Sequence, residues 1–283
     1  MAITVTQRWR DGLPRWRPVA DGGFDPDRYV VDELTEDRAR AWTLRHHYSS
    51  TWPVVRLRTG LFDTRTPTGE PQLVGVLAMG VPMSNRVLTG VFPALTPHYE
   101  SIEISRLCLA DSVPSNGESW FCARSFDLAA ERGVRGLVAF SDPVERWRGS
   151  ELIKPGHCGI VYQALNFAYL GRSTPRTLTL LPDATVLTAR AQAKVTGRET
   201  GAAGVIARLV GLGATPPEPD ADPRHWLRVA LREIGCHRVR HPGNHRYALR
   251  IGRTRGERTR TAIGMAPRRY PKPDRPLPLP PIP

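Results

Sequence analysis

Apolar and polar residues first settle into a regular pattern after Thr35. Ala39, Trp42 and Leu44 recur at roughly helical spacing, Thr35 is a good N-cap, and Glu36 and Asp37 suit the positive end of a helix dipole. The spacing predicts a helix ending near residues 46–50, before Pro53. Residues 54–63 (VVRLRTGLFD) and 72–82 (QLVGVLAMGVP) are aliphatic and β-branched, and the turn-rich TRTPTGEP between them predicts a hairpin. A third strand is expected over 99–111, with Ile102, Ile104, Leu107 and Leu109 as its apolar positions. Their alternation slips near Arg106, which is the mark of a bulge.

Residues 112–133 read as a loop, a helix and a glycine stop at Gly133, and 134–142 (VRGLVAFSD) as a short strand of the buried kind. The stretch GHCGIVYQALNFAYLG, 156–171, supplies a further helix and strand, with Asn166 tolerating the left-handed backbone of a helix stop. This order of elements predicts an α/β (α+β) domain with layers packed on a mixed sheet. After Leu181 the texture changes: Thr188 caps a helix over 187–197, 201–214 is small and apolar, 215–223 is a linker, and Pro223 opens a helix that stops at Gly235. The expected organisation is a core domain over 24–182, an arginine-rich and mainly helical extension over 183–262, and a proline-rich basic tail over 263–283, extended or disordered. Residues 1–23 bear arginine and tryptophan but no clear period.

The charge narrows the choice of partners. Net charge is +13 with only three lysines, and between Arg224 and Arg260 eleven arginines face two acids, Glu233 and Glu257. Such a surface attracts polyanions, and the guanidinium fork suits phosphates, so contact with nucleic acid is expected. No apolar run approaches the roughly 20 residues of a membrane span, and the N-terminus lacks a secretory pattern, so the expected location is the cytoplasm and no membrane partner is expected. Cys108, Cys122, Cys158 and Cys236 are scattered without metal-binding spacing and read as free thiols. His241 and His245 lie in HPGNH, which has no supporting carboxylate and reads as a turn rather than a metal site.

One loop could bind phosphate from its backbone alone. PSNGES, 114–119, precedes a helix, and exposed N–H groups reached over Gly117, with Asn116 and Ser119 beside them, suit a pyrophosphate; an ordinary capped turn is the competing reading.

YQALNF followed by AYLG resembles the last helix and strand of the GNAT acyltransferases, although the family's Q/R-x-x-G-x-G/A phosphate signature is not cleanly present. Taken in order, HYS (47–49), SRL (105–107), NGESWF (116–121), FSDP (140–143) and GHCGIVYQALNFAYLG resemble the phage Mom family of DNA-modification proteins, as does the downstream RHPGNHRY (240–247). That resemblance implies a GNAT-like core, an acetyl-CoA or related acyl donor, and transfer of an acyl-derived, carbamoylmethyl-type group to the N6 amine of adenine in double-stranded DNA, shielding it from restriction. Iron is a second cofactor the resemblance brings with it, and no ligand set in the sequence supports it. By the same resemblance Tyr162 would protonate the leaving thiolate, Asp142 would accept a proton or orient His157, and Arg106 would hold an anionic group. Ser119, Asn116 and Gly117 would face the donor's pyrophosphate; His47, Tyr48 and Ser49 would line the acceptor pocket; Arg190, Lys194, Arg238, Arg240 and Arg246 would contact DNA. Each residue also has a plain structural reading: Asp142 before Pro143 as a turn residue, Tyr162 as a core aromatic, His157 as a loop histidine. Two other functions remain open, a conventional N-acetyltransferase of a protein or small amine, which would tolerate loss of residues 224–283, and a DNA-binding protein without activity on a decayed scaffold.

Overall fold

The computed structural model describes residues 5–49 and 51–272. Strands β1 (Val5–Arg10) and β2 (Leu13–Pro18) form an antiparallel hairpin around Asp11-Gly12, whose φ values of 48° and 78° are those a tight two-residue turn needs. There follow β3 (Tyr29–Glu33), α1 (Glu36–His46), β4 (Val55–Asp63), β5 (Gln72–Gly80), the single turn α2 (Arg86–Thr89), β6 (Ser101–Leu109), α3 (Gly117–Glu131) and β7 (Gly136–Ser141). Two short paired strands, β8 (Arg146–Arg148) and β9 (Glu151–Lys154), lead to α4 (Ile160–Ala164) and β10 (Ala168–Arg172). Next are β11 (Arg176–Leu180), β12 (Val186–Leu187), α5 (Ala189–Thr196), α6 (Ala202–Gly211), α7 (Pro223–Glu233), β13 (His237–His241), β14 (His245–Arg250) and α8 (Arg255–Arg260).

The first compact unit holds residues 1–143, 154–173 and 244–283 and is built on a seven-stranded mixed sheet ordered β10-β14-β7-β6-β5-β4-β3. Among its pairings only β6 with β7 is parallel. The expected mixed α/β class therefore holds, and the slip near Arg106 is a bulge at Ser105, since Ala78 pairs with Arg106 and Met79 with Ile104. Alternation divides the sheet's two faces. On one, Leu137, Ala139 and Tyr247 join Phe121, Cys122 and Phe126 of α3, with Thr59 and Ser125 sharing a buried hydroxyl hydrogen bond of 2.7 Å; on the other, Val138, Leu170 and Ala248 meet Leu88, Val91 and Phe92. Gly80 has no substitute at the end of β5, because a Cβ there would lie 2.0 Å from the Val54 carbonyl oxygen.

The second unit, residues 144–153 and 174–243, carries the three-stranded sheet β12-β11-β13 and the helices α5 to α7 around Leu181, Leu187, Val195, Leu209, Trp226 and Leu227. Asp222 caps α7 through His225 N, and Pro223 stands at its first position, as the sequence predicts.

The structure divides the chain differently from the expected 24–182 and 183–262. β14 lies inside that extension yet pairs with both β7 and β10 in the main sheet, so the extension is not simply helical. Its alternation, His245, Tyr247, Leu249 and Ile251 against Arg246 and Arg250, is legible in the sequence but masked by the surrounding arginines. The first ten residues of the tail are also ordered rather than loose. Gly264 N donates to Val91 O (2.8 Å), Arg268 N to Tyr169 O (2.7 Å), and the Tyr270 hydroxyl to Phe167 O (2.8 Å), covering the free edge of β10. Residues 273–283 lie outside the described residues.

A chain ending after Gly243 should lose its cooperative thermal transition, because β7 and β10 would lose their shared partner strand. Circular dichroism melting checks this, and a truncated chain that still melted cooperatively would contradict it. Deletion of residues 224–283 consequently reports on folding, not on the substrate.

Candidate active site

Several of the candidate side chains gather where β6 and β7 part. The parallel pairing runs only from Ser101 opposite Gly136 to Ile104 opposite Ala139, while β6 continues to Leu109 and β7 to Ser141. Tyr162 hangs from α4 beside this opening, buried against Phe167 (ring centroids 5.3 Å apart) and Tyr247 (5.4 Å). Gly159, left-handed at φ 72°, permits the approach: a Cβ there would sit 2.8 Å from Tyr247 and 3.0 Å from Tyr162. The turn is locked by the Tyr247 hydroxyl and Gln163 Nε2 (3.0 Å), both donating to Cys158 O. Asn166 adopts φ 58°, as expected of the helix stop. Burial raises the Tyr162 pKa, reinforced by the nearby Cys122, Glu103, Tyr48 and Tyr247. The phenol therefore stays protonated at neutral pH, and its hydroxyl has no hydrogen-bond partner among the described residues.

Asp142, just beyond β7, is already engaged. Its carboxylate meets the buried Lys154 ammonium at 3.1 Å, and its carbonyl accepts from Lys154 Nζ (3.3 Å) and His157 N (3.0 Å). It thus positions the segment carrying His157, and sequence reasoning missed its partner Lys154. The His157 ring keeps an exposed edge. Desolvation first, then the Lys154 charge, lower its pKa to about 4, with Asp142 opposing.

Arg106 follows the bulge. Its guanidinium donates to Thr51 Oγ1 (2.8 Å), Thr51 O (3.3 Å) and Ser105 O (2.6 Å), so it fixes the loop after α1. In that loop His47 Nδ1 accepts from Ser49 N (3.2 Å), which leaves its proton on Nε2. Trp9 of β1 packs on both His47 (5.8 Å) and Tyr48 (5.0 Å). Burial first, then Arg106 and His157, push the His47 pKa down to about 3, so the ring is neutral. Glu103 was not anticipated. It lies on β6 three residues before Arg106, and burial raises its pKa to about 7, with Arg106 opposing. The signal available in the sequence was an acid flanked by Ile102 and Ile104 in a predicted strand.

The loop at 112–119 is tied from outside. Fully buried Arg8 donates to Val113 O (2.9 Å) and Pro114 O (2.6 Å) and pairs with Glu118, while Arg17 donates to Asp111 O and Ser112 O (both 3.0 Å). Asn116 is left-handed (φ 71°), the Ser119 hydroxyl donates to Asn116 O (3.0 Å), and Gly117 has no room for a side chain beside Val113 and Phe24. Among the described residues no group of three His, Cys, Asp or Glu could hold a metal ion; His241 Nδ1 accepts from Gly243 N (3.1 Å), and His245 Nδ1 shares a 2.9 Å hydrogen bond with the Tyr169 hydroxyl.

The Mom protein family matches residues 28–206, more than half of the 283-residue chain. The chain belongs to the Mom protein family. No curated protein matches it. Solved structures with similarity include a GNAT-superfamily phosphinothricin acetyltransferase from Sinorhizobium meliloti in complex with AcCoA, at 10% identity over 85% of this chain and 96% of that one, TM-score 0.36. A GNAT family N-acetyltransferase from Escherichia coli in complex with CoA is 12% identical over 52% and 71%, TM-score 0.30. A Mycobacterium tuberculosis protein in complex with CoA and NLQ is 12% identical over 78% and 99%, TM-score 0.34.

In this Mom-family chain the expected DNA contacts fall into two groups. Arg238 and Arg240 are exposed two residues apart on β13 and so share a face. Lys194 is half-buried at the end of α5. Arg190 is paired with Glu199, whereas Arg246 lies over the Phe140 ring (6.0 Å) with Nη1 on the Met265 sulfur (3.1 Å) and is half-buried, without an acidic partner among the described residues.

The site makes stability depend on pH in two opposed ways. Folded His47 refuses a proton that the unfolded chain takes below 6.5, so stability falls as pH drops from 6.5 toward about 3. Folded Glu103 keeps a proton that the unfolded chain releases above 4.5, so stability falls as pH rises from 4.5 toward about 7. Each slope reaches at most about 1.4 kcal/mol per pH unit, and between 4.5 and 6.5 they oppose one another. Urea titrations should show Glu103→Gln losing stability more steeply than wild type as pH falls through this window, and the double variant His47→Gln/His157→Gln losing it as pH rises, because the lowered His157 pKa acts in the same direction as that of His47. Flat profiles in both variants would refute these ionisation states.

Proposed function

We propose that this Mom-family protein transfers an acyl group from the thioester of an acyl-CoA donor to the N6 amine of adenine in duplex DNA. The observation that carries the reading is the buried, protonated phenol of Tyr162 beside the point where β6 leaves β7. Beyond Ile104 the β6 edge that faced β7 is released, and its backbone N–H and C=O groups suit an extended amide chain added as a strand would be. At the other end, Glu118 stands in the first turn of α3, where a diphosphate would otherwise find the positive end of the helix dipole; Arg8 neutralises that carboxylate. These residues fit an acyl-CoA whose phosphates lie at the N-terminus of α3 and whose reacting end lies near Tyr162.

A bound acyl-CoA supplies an activated thioester. Glu103, with a pKa of about 7, is matched to accept the proton that the adenine amine must lose. Tyr162 donates its proton to the departing thiolate. Arg106 and the Asp142–Lys154 pair hold the surrounding loops in place. The conjugated amine is a poor nucleophile, so a positioned base and a fixed donor are both required. Reaching the amine means flipping the base from the stack, at a cost of a few kcal/mol that contacts to the DNA backbone offset. The net charge of +13 and the exposed Arg238 and Arg240 support a duplex partner.

Expression in a bacterium, digestion of total DNA to nucleosides and mass spectrometry should reveal a heavier adenosine. Tyr162→Phe and Glu103→Gln should each lower its yield on the order of 100-fold while the proteins stay soluble. Normal nucleosides alongside soluble wild-type protein would overturn the reading, and acetylation of a free amine without DNA would favour the conventional acetyltransferase.

A further inference from the structure

We propose that a second site of this chain, between β10, β14 and α8, binds a phosphate group. A cavity of about 340 Å³ opens there, with Arg250, Arg255 and Arg258 converging on it, the exposed Asn166 at its rim, and Ala168 and Ala248 as its apolar floor. Among the described residues no carboxylate lines it. Glu257, the one acid on α8, is turned to Arg135 (3.7 Å), Arg253 (3.6 Å) and the Arg253 N–H (2.7 Å). Arg250 and Arg255 have no acidic partner among the described residues, and Arg258 spends only one N–H, on Gly252 O (2.9 Å).

Three like charges in one concavity repel each other unless an anion joins them, and the guanidinium fork matches phosphate oxygens in pairs. Alternation along β14 puts Arg250 on the same sheet face as Ala248, opposite to Tyr247 and hence away from Tyr162. The site is therefore separate from the proposed acyl-transfer centre and stands whether or not that reading does. The same chemistry suits a backbone phosphate of duplex DNA or the phosphate of a small molecule such as CoA.

The test uses the full chain and the double variant Arg250→Ala/Arg255→Ala, with anisotropy of a labelled 20-bp duplex at several salt concentrations and calorimetry with CoA and with inorganic phosphate. If the pocket takes DNA backbone, duplex affinity falls about tenfold and the slope of log affinity against log salt shrinks by about one, with CoA binding unchanged. If it takes a small phosphorylated ligand, CoA or phosphate affinity falls and the duplex is unaffected. Should the alanine variant misfold, Arg250→Lys/Arg255→Lys keeps the charge and loses paired hydrogen bonding, and a partial loss is expected. Unchanged affinity for all three probes, or an equal loss in the control Arg40→Ala/Arg86→Ala, would overturn the proposal.

Discussion

The parting of β6 from β7 after Ile104 is the constraint on which the rest of the site depends. Four residues of parallel pairing hold the two strands together, and the Ser105 bulge then bends β6 while it stays paired with β5 through Leu109. A bulge adds a residue to one strand and sharpens its local twist, which is how a continuous sheet can open without losing its neighbour. Every candidate residue is placed relative to that opening. Glu103 stands before it, Arg106 just after it, Asp142 at the far end of β7, and Tyr162 is brought alongside by α4.

The opening is supported from a distant part of the chain. β10 and β14 are adjacent antiparallel strands, yet 174–243, most of the second unit, separates them in sequence where a short turn would have served. β14 then brings Tyr247, fully buried, against the Tyr162 ring and onto the carbonyl of Cys158. The position of Tyr162 is thus set by aromatic packing and a hydrogen-bonded turn contributed by a strand more than 80 residues away.

Arginine serves two physically different purposes here. Arg8, Arg17 and Arg106 point their forks at backbone carbonyls and hold loops, and Arg246 lies on Phe140 and Met265. The first three are consumed by the fold, since a buried guanidinium must find acceptors or forfeit its hydration, whereas the Arg246 Nε is buried without an acceptor among the described residues. Arg238, Arg240, Arg250 and Arg255 are among the arginines that remain exposed, and it is the exposed guanidinium groups that can meet a polyanion.

By itself the sequence determined the local elements. The helix behind Thr35, the 54–82 hairpin, the bulge near Arg106, the left-handed Asn166 and the Pro223 helix start follow from periodicity and backbone chemistry, which act within a few residues. Asp11-Gly12 carried an equally local hairpin signal, and the alternation of 245–251 a strand signal, though arginines obscured both. The tertiary structure decided what lies beyond that range. It inserted β14 between β7 and β10, gave Lys154 to Asp142, closed the 112–119 loop with Arg8, and buried Glu103 enough to bring its pKa near neutrality. Strand partners, ion pairs and desolvation depend on residues far apart in the chain, and no local pattern encodes which of them will meet.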